Sequence, residues 1–193
     1  MQGIGPYTAF VDANVWYSRT LRDWLGMLYV TPDAPPFVVC WTEDVLAEVI
    51  RNLRERHPEW PGKRVTELRD QLAGTFEAGR VVDFTVDGSY RGRDPGDAHV
   101  HAAAVACGAD VLLTQNARDF LWSDNASPYE VMSPDDFLVL VDDSMPELVA
   151  LVTRTMCEYW LQRTDSVDLP ARLEVAGCPD FAKRVRGHLH RAM

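Results

Sequence analysis

The sequence predicts an α/β fold built on a mainly parallel β-sheet, followed by a small all-helical extension. Three observations predict it. Short apolar runs alternate with helical patterns over residues 1–143. The helical patterns carry start and stop residues at their ends. From Ser144 onward the apolar residues recur at helical spacing only. A chain of 193 residues that is 47% hydrophobic can bury a core, which excludes a disordered or fibrous protein.

The first element is "YTAFVDANVW", an apolar run ending at Asp12 that predicts a buried strand followed by a helix. After the proline-marked loop "TPDAPP" comes "FVVCWTEDVLAEVIRNLRERHP". There Thr42 is the N-cap, Glu43 and Asp44 suit the first turn, and Pro58 closes the helix. A basic helical stretch around Lys63 to Ala78 leads to "VVDFTV", predicted as a second strand. In "RDPGDAHVHAAAVACGA", Asp94 caps a helix, Pro95 takes its first position and Gly108 stops it. "DVLLT" and "YEVM" are further strands, and Ser133 caps a helix through "PDDFLVLV". Beyond it Leu148, Val149, Leu151, Val152, Met156, Tyr159 and Trp160 form one helical stripe. The expected organisation is an α/β domain over 1–143 and a helical extension over 144–193.

The formal charge of −10 opposes indiscriminate binding of nucleic acid. The charge is unevenly spread. Residues 121–150 hold seven acids and no Lys or Arg, whereas Arg51–Arg69 is mostly basic and the tail "FAKRVRGHLHRAM" has no acid. Each run also suits an ordinary solvated face. No basic region precedes an apolar run at the N-terminus, and no apolar stretch approaches a membrane span, so a cytoplasmic protein without membrane association is expected. The four cysteines, Cys40, Cys107, Cys157 and Cys178, form no Cys-x-x-Cys pair and suit small core positions in a reducing compartment.

In an open parallel sheet the carboxyl ends of the strands share one edge, where ligands bind. Asp12 ends the first strand, and Asn116 and Asp119 follow "DVLLT". Asp97 starts a helix, and Glu48 lies away from the apolar stripe of Val45, Val49, Ile50 and Leu53. Carboxylates drawn together repel unless a cation compensates them or their pKa values rise. Oxygen donors without His or Cys at ligand spacing point to Mg²⁺ or Mn²⁺, ions that work on phosphates. Each acid has a plainer role as well. Asp97 sits at N3 behind Asp94 and would support the helix start, Glu48 would be solvated, and Asp12, Asn116 and Asp119 suit turns or caps. His99 and His101, two residues apart, fall on different helix faces, so they do not form a joint site, and His101 is expected to be structural or solvated. Trp41, Trp60, Trp122 and Trp160 are expected in core or interface positions.

The stretches "FVDANVW", "WTEDVLAEV", "RDPGDAHVHAAAVACGADVLLTQNARDF" and "YEVMSPDDF", spread over roughly residues 8–140, resemble the PIN-domain nucleases, most closely the VapC-type ribonuclease toxins. The resemblance implies a three-layer α/β/α fold and an acidic set of Asp12, Glu48, Asp97 and Asp119 holding Mg²⁺ or Mn²⁺. It implies a metal-dependent endoribonuclease acting on RNA of the tRNA or rRNA class. It also implies a homodimer, and a cognate antitoxin protein within a type II toxin–antitoxin pair. Many family members have Thr-x-Asp after the strand; here Thr114-Gln115-Asn116 places an amide there and the acid follows at Asp119. Which of Asn116 and Asp119 lies nearer the metal is left open, and Asn116 is expected to contact substrate. Arg184 and Arg186 in the tail are expected to grip phosphates. Two other classes compete. A catalytically silent PIN-like module would bind RNA or protein without cutting. A receiver-like signalling domain would need an adjacent acid pair near the first strand and a late Lys, and both are missing.

Overall fold

The computed structural model of the protein describes residues 7–120, 127–164 and 166–192. Trp122 lies outside them. Two compact units emerge, one drawn from Met1–Tyr17 and Phe37–Met132, the other from Ser18–Pro36 and Ser133–Met193.

The first unit holds the sheet. Strand β1 (Tyr7–Val11) is central, with Ala9, Phe10 and Val11 fully buried. It pairs in parallel with β2 (Phe37–Cys40) on one side and β3 (Val111–Leu113) on the other. Strand β4 (Glu130–Met132) pairs in parallel outside β3, giving the order β2-β1-β3-β4. Phe10 stands opposite both Cys40 and Leu112. Near-continuous apolar strands are what a parallel sheet covered on both faces requires. With its many helices this is the α/β fold that the sequence predicts.

Helix α1 (Ala13–Tyr17) follows β1 at once. Helix α3 (Glu43–Arg56) starts as expected at Thr42, whose hydroxyl accepts the Val45 N–H at 3.2 Å, and buries Val45, Leu46, Val49 and Leu53. Helix α4 is Gly62–Thr75. Asp94 caps a single 3₁₀ turn, Pro95–Asp97, that runs into α5 (Ala98–Ala106). Gly108, at φ +62°, takes the left-handed conformation that ends α5.

The segment "VVDFTV" is not a strand. Only Arg80 bridges to Trp41, and the Val81 N–H donates to the Trp41 carbonyl at 2.8 Å. Val82 and Val86 are 65% and 53% exposed, so their apolar side chains find no layer to pack on and the ladder stops. The strand beside β1 is instead "FVVC", immediately before the Thr42 cap.

The second unit is helical: α2 (Arg19–Val30), α6 (Pro134–Ser144), α7 (Pro146–Leu161), α8 (Leu169–Val175) and α9 (Pro179–Ala192). Ser133 caps α6 as expected. Trp24 meets Phe181 edge-on at 4.9 Å, and the Asp135 carboxylate accepts the N–H groups of Asp180 and Phe181 at the start of α9. In α7, Leu148, Val149, Val152 and Met156 are buried as the stripe predicts, but Leu151 and Tyr159 point outward. The stripe is therefore narrower than its apolar residues suggest. Among the described residues, no helix is long and apolar enough to cross a membrane.

Candidate active site

The order β2-β1-β3-β4 sets where chemistry can sit. The chain leaves β1 toward β2, and β3 later lies on the opposite side, so the carboxyl ends of β1 and β3 flank the point where the strand order reverses. Asp12 follows β1 and Thr114 follows β3 at that point. The Asp12 N–H donates to the Leu113 carbonyl at 3.0 Å, which fixes one strand end against the other.

Asp12 is buried and held by three donors. Its Oδ1 accepts the Ala13 N–H at 2.6 Å, and its Oδ2 accepts the Thr114 hydroxyl and the Asn14 amide, each at 2.7 Å. Burial raises the Asp12 pKa and the charge of Glu48 adds to it, while the bonds from Thr114 and Ala13 oppose the shift. Asn14 joins the two strand ends: its Nδ2 also reaches Thr114 Oγ1 at 2.9 Å, and its Oδ1 accepts the Gln115 N–H at 2.9 Å. Neither Asn14 nor Thr114 stands out in the sequence as a site residue, although each lies two positions from one that does, Asp12 and Asn116. An Asn two positions after a strand-terminal Asp is the one available signal.

Asp97 is the most perturbed of the acids. Burial, then the charges of Asp12, Asp94, Asp119 and Glu48, raise its pKa to about 6. Four acids scattered from residue 12 to residue 119 thus share one field with it. Tyr90 feels the same field: burial and the carboxylates of Asp97, Asp119, Asp94 and Asp12 raise its pKa and hold the phenol protonated. Its hydroxyl donates to the Asp119 carbonyl at 2.9 Å, and the Arg93 N–H reaches that oxygen at 3.1 Å.

Glu48 lies on the polar side of α3, half-buried, with its Oε1 2.9 Å from His99 Nε2. His99, which the sequence offers only as half of a rejected joint site with His101, is thus the neighbour of a candidate acid. His101 is buried and structural, its ring nitrogens meeting Ser89 Oγ at 3.0 Å and the Tyr129 hydroxyl at 2.8 Å. The Asn116 amide donates to the Asp119 carboxylate, so these two residues act as a pair. Among the described residues, no three His, Cys, Asp or Glu side chains converge closely enough to hold a metal ion as they stand. The acids around Asp97 nevertheless all offer hard oxygens, and their charges add to burial in raising its pKa, a repulsion that a hard divalent cation relieves.

Arg184 and Arg186 belong to α9 in the helical unit. Arg184 Nη1 lies 2.7 Å from Asp143 and 3.5 Å from Asp142, and Arg186 Nη2 lies 2.9 Å from Glu174. Each remains about half exposed. Trp41 is buried with its Nε1–H on the Phe76 carbonyl, while Trp60 stacks on His57 at 4.2 Å beneath the Arg64 guanidinium. The guanidinium groups of Arg19 and Arg172 both lie over the Trp160 ring, at 4.8 and 4.2 Å from its centre.

Gly92 marks how tightly the loop before Asp94 is folded over this region. A Cβ there would overlap the Tyr90 hydroxyl and the Asp119 carbonyl. Gly92→Ala is expected to displace both groups at a stability cost of about 1–3 kcal/mol, as overpacking does, measurable by chemical denaturation. An unchanged denaturation midpoint would show that the loop yields freely.

A family model described as PIN domain matches residues 8–118, more than half of the 193-residue chain. No curated protein and no solved structure matches it.

Proposed function

The chain belongs to the PIN-domain family, whose members are generally nucleases, and from that premise we propose that it is a divalent-metal-dependent endoribonuclease. The observation that carries this reading is the shared field at Asp97, raised to about 6 by burial and by four other acids. Asp12 and Asp97 would hold Mg²⁺ or Mn²⁺ directly, with Glu48 and Asp119 completing the site directly or through water. When bound, such an ion polarises a phosphoryl oxygen and activates a water for in-line attack.

The protein's own residues do the positioning. Thr114, Asn14 and the Ala13 N–H fix both oxygens of Asp12, so its carboxylate is oriented before any ligand arrives. His99 holds Glu48, and Asn116 holds Asp119. The motif stretches quoted above support a finer reading: the toxin of a type II toxin–antitoxin pair, a cytoplasmic homodimer that acts on tRNA or rRNA and is silenced by a cognate antitoxin. On that reading residues 1–143 form the nuclease domain and 144–193 its helical extension, with Asn116, Arg184 and Arg186 touching RNA.

One observation favours a second reading. Glu48 and Asp119 are each already tied to a neighbour, His99 and Asn116, as suits a silent module that binds RNA or protein. Mapping the 5′ ends of cellular RNA after brief expression separates the two. New ends that appear with the wild-type protein and vanish with Asp12→Asn are the expected result. Identical end profiles for both would leave the silent module.

A further inference from the structure

The corner between α3 and α4 carries positive charge that the fold leaves uncompensated. Residues 51–64 hold five Arg or Lys against two acids, in a chain whose net charge is −10. Four arginines elsewhere meet carboxylates at 2.7–2.9 Å: Arg69 at Asp70, Arg80 at Glu43, Arg184 at Asp143 and Arg186 at Glu174. Among the described residues, no carboxylate pairs with Arg51, Arg54, Arg56 or Arg64. We propose that this corner grips the RNA backbone, its four guanidinium groups taking the phosphates on one side of the scissile bond. The proposal rests on the reading that the substrate is RNA, and it names a contact that the acids do not supply.

The four groups are positioned without being used up. Trp60 gathers two of them: its carbonyl accepts from Arg54 Nη1 at 2.7 Å, and the Arg64 guanidinium lies over its ring, 3.7 Å from the centre. Arg56 lies over the Tyr17 ring at 5.6 Å, with Nη1 on the Tyr17 hydroxyl at 3.1 Å. Arg51 is exposed, and its side chain makes no hydrogen bond among the described residues. A guanidinium carries five N–H donors. Arg54 and Arg56 thus each spend one on the protein, and Arg51 and Arg64 spend none. The others are open to phosphate oxygens, which match the planar fork of arginine.

Helix stability does not account for the arrangement. Arg54 and Arg56 stand in the last turn of α3, where the helix dipole favours cations. Lys63 and Arg64 stand in the first turn of α4, where the dipole disfavours them, and that turn contains no acid. Arg51 lies in the middle of α3, three residues after Glu48, so the two side chains are neighbours on the helix. The patch therefore begins beside a candidate acid, and a strand with one phosphate at the acids runs onto it. A protein of net negative charge repels RNA at long range, so local cations of this kind are what binding requires.

The test uses the full chain carrying Asp97→Asn in EDTA, so that binding is read without cleavage and monovalent salt alone sets the slope. A short fluorescein-labelled single-stranded RNA is titrated by anisotropy at several KCl concentrations. Adding Arg51→Ala with Arg64→Ala is expected to flatten the slope of log affinity against log salt by about 1.4, from two phosphate contacts at about 0.7 each. Arg69→Ala with Arg80→Ala removes the same charge from groups that already hold carboxylates, and is expected to leave the slope unchanged. Melting temperatures verify that each variant is folded. Arg51→Gln alone, at an exposed side chain, is the second variant, with an expected loss of about 0.7. An unchanged slope in the Arg51 variants overturns the grip and leaves the corner to an acidic protein partner. An equal loss in the Arg69 and Arg80 pair also overturns it, since net charge alone would then set the slope. A protein that cuts RNA yet keeps its slope loses only this proposal, whereas one that loses slope without producing new RNA ends loses only the nuclease reading.

Discussion

Asp97→Asn is expected to give a folded protein whose RNA cleavage falls by more than about a hundredfold. The substitution keeps the shape of the side chain and removes its charge, so only a role that needs the charge is lost. As a helix-start residue alone, the Asp97 carboxylate contributes on the order of 0.3–1 kcal/mol through the helix dipole. Loss of a metal ligand exceeds the 10–100-fold typical of groups that merely orient ligands. Asp94→Asn is the control, because Asn caps helices about as well as Asp. The Asp94 side chain accepts the Gly96 N–H at 2.8 Å, a bond that an Asn oxygen reproduces. The pKa of Asp97 adds a stability signature. Its carboxyl is raised to about 6 from the ordinary 3.8, so the folded metal-free protein holds a proton that the unfolded chain releases between those values. Stability from this group therefore falls as pH rises through that window, and the cost is complete above it. Asp97→Asn should raise the metal-free melting temperature at pH 7, with the gain disappearing below about pH 4. Near wild-type cleavage by Asp97→Asn would reduce Asp97 to a helix-start residue.

Chelation is expected to be equally decisive. With EDTA, cleavage of RNA should drop by more than about a hundredfold, since a Lewis acid at the phosphoryl oxygen is worth several kcal/mol. Added Mn²⁺ or Mg²⁺ should restore it. Metal and proton compete for the same carboxylate oxygens, so the metal concentration needed for half activation should rise about tenfold per pH unit below about pH 6, where Asp97 protonates. Calorimetric titration with Mn²⁺ at pH 5 and pH 7 reads this competition without relying on turnover. Full cleavage in chelator, or metal binding that ignores pH across this range, would remove the metal from the proposal.

Much of the fold is local chemistry, and local chemistry is legible. Thr42, Asp94 and Ser133 cap where their side chains predict, because a cap is satisfied by an N–H two or three residues away. Gly108 ends α5 because only a few backbone angles are involved. The residues of "VVDFTV" have the composition of a strand too, but a strand also needs a partner and a covering layer, and these lie outside the segment. The site divides along the same line. Its acids are legible as residue types at strand ends and helix starts. Their partners are not: Asn14 meets Thr114 across 100 residues of chain and His99 meets Glu48 across 51, with nothing in either local sequence to announce the pairing.

By itself, then, the sequence determined the α/β class, the helix caps, and the hard-oxygen character of the candidate acids. Each depends on periodicity or on groups within a turn of one another. Only the tertiary structure decided the strand order β2-β1-β3-β4, the meeting of Asn14 with Asp12 and Thr114, and the engagement of Arg184 and Arg186 with Asp143 and Glu174. Those features depend on which distant surfaces bury one another, and burial is a property of the whole chain. In the basic tail Arg184 and Arg186 gain acidic neighbours while staying about half exposed, and an unremarked Asn becomes the link between two strand ends.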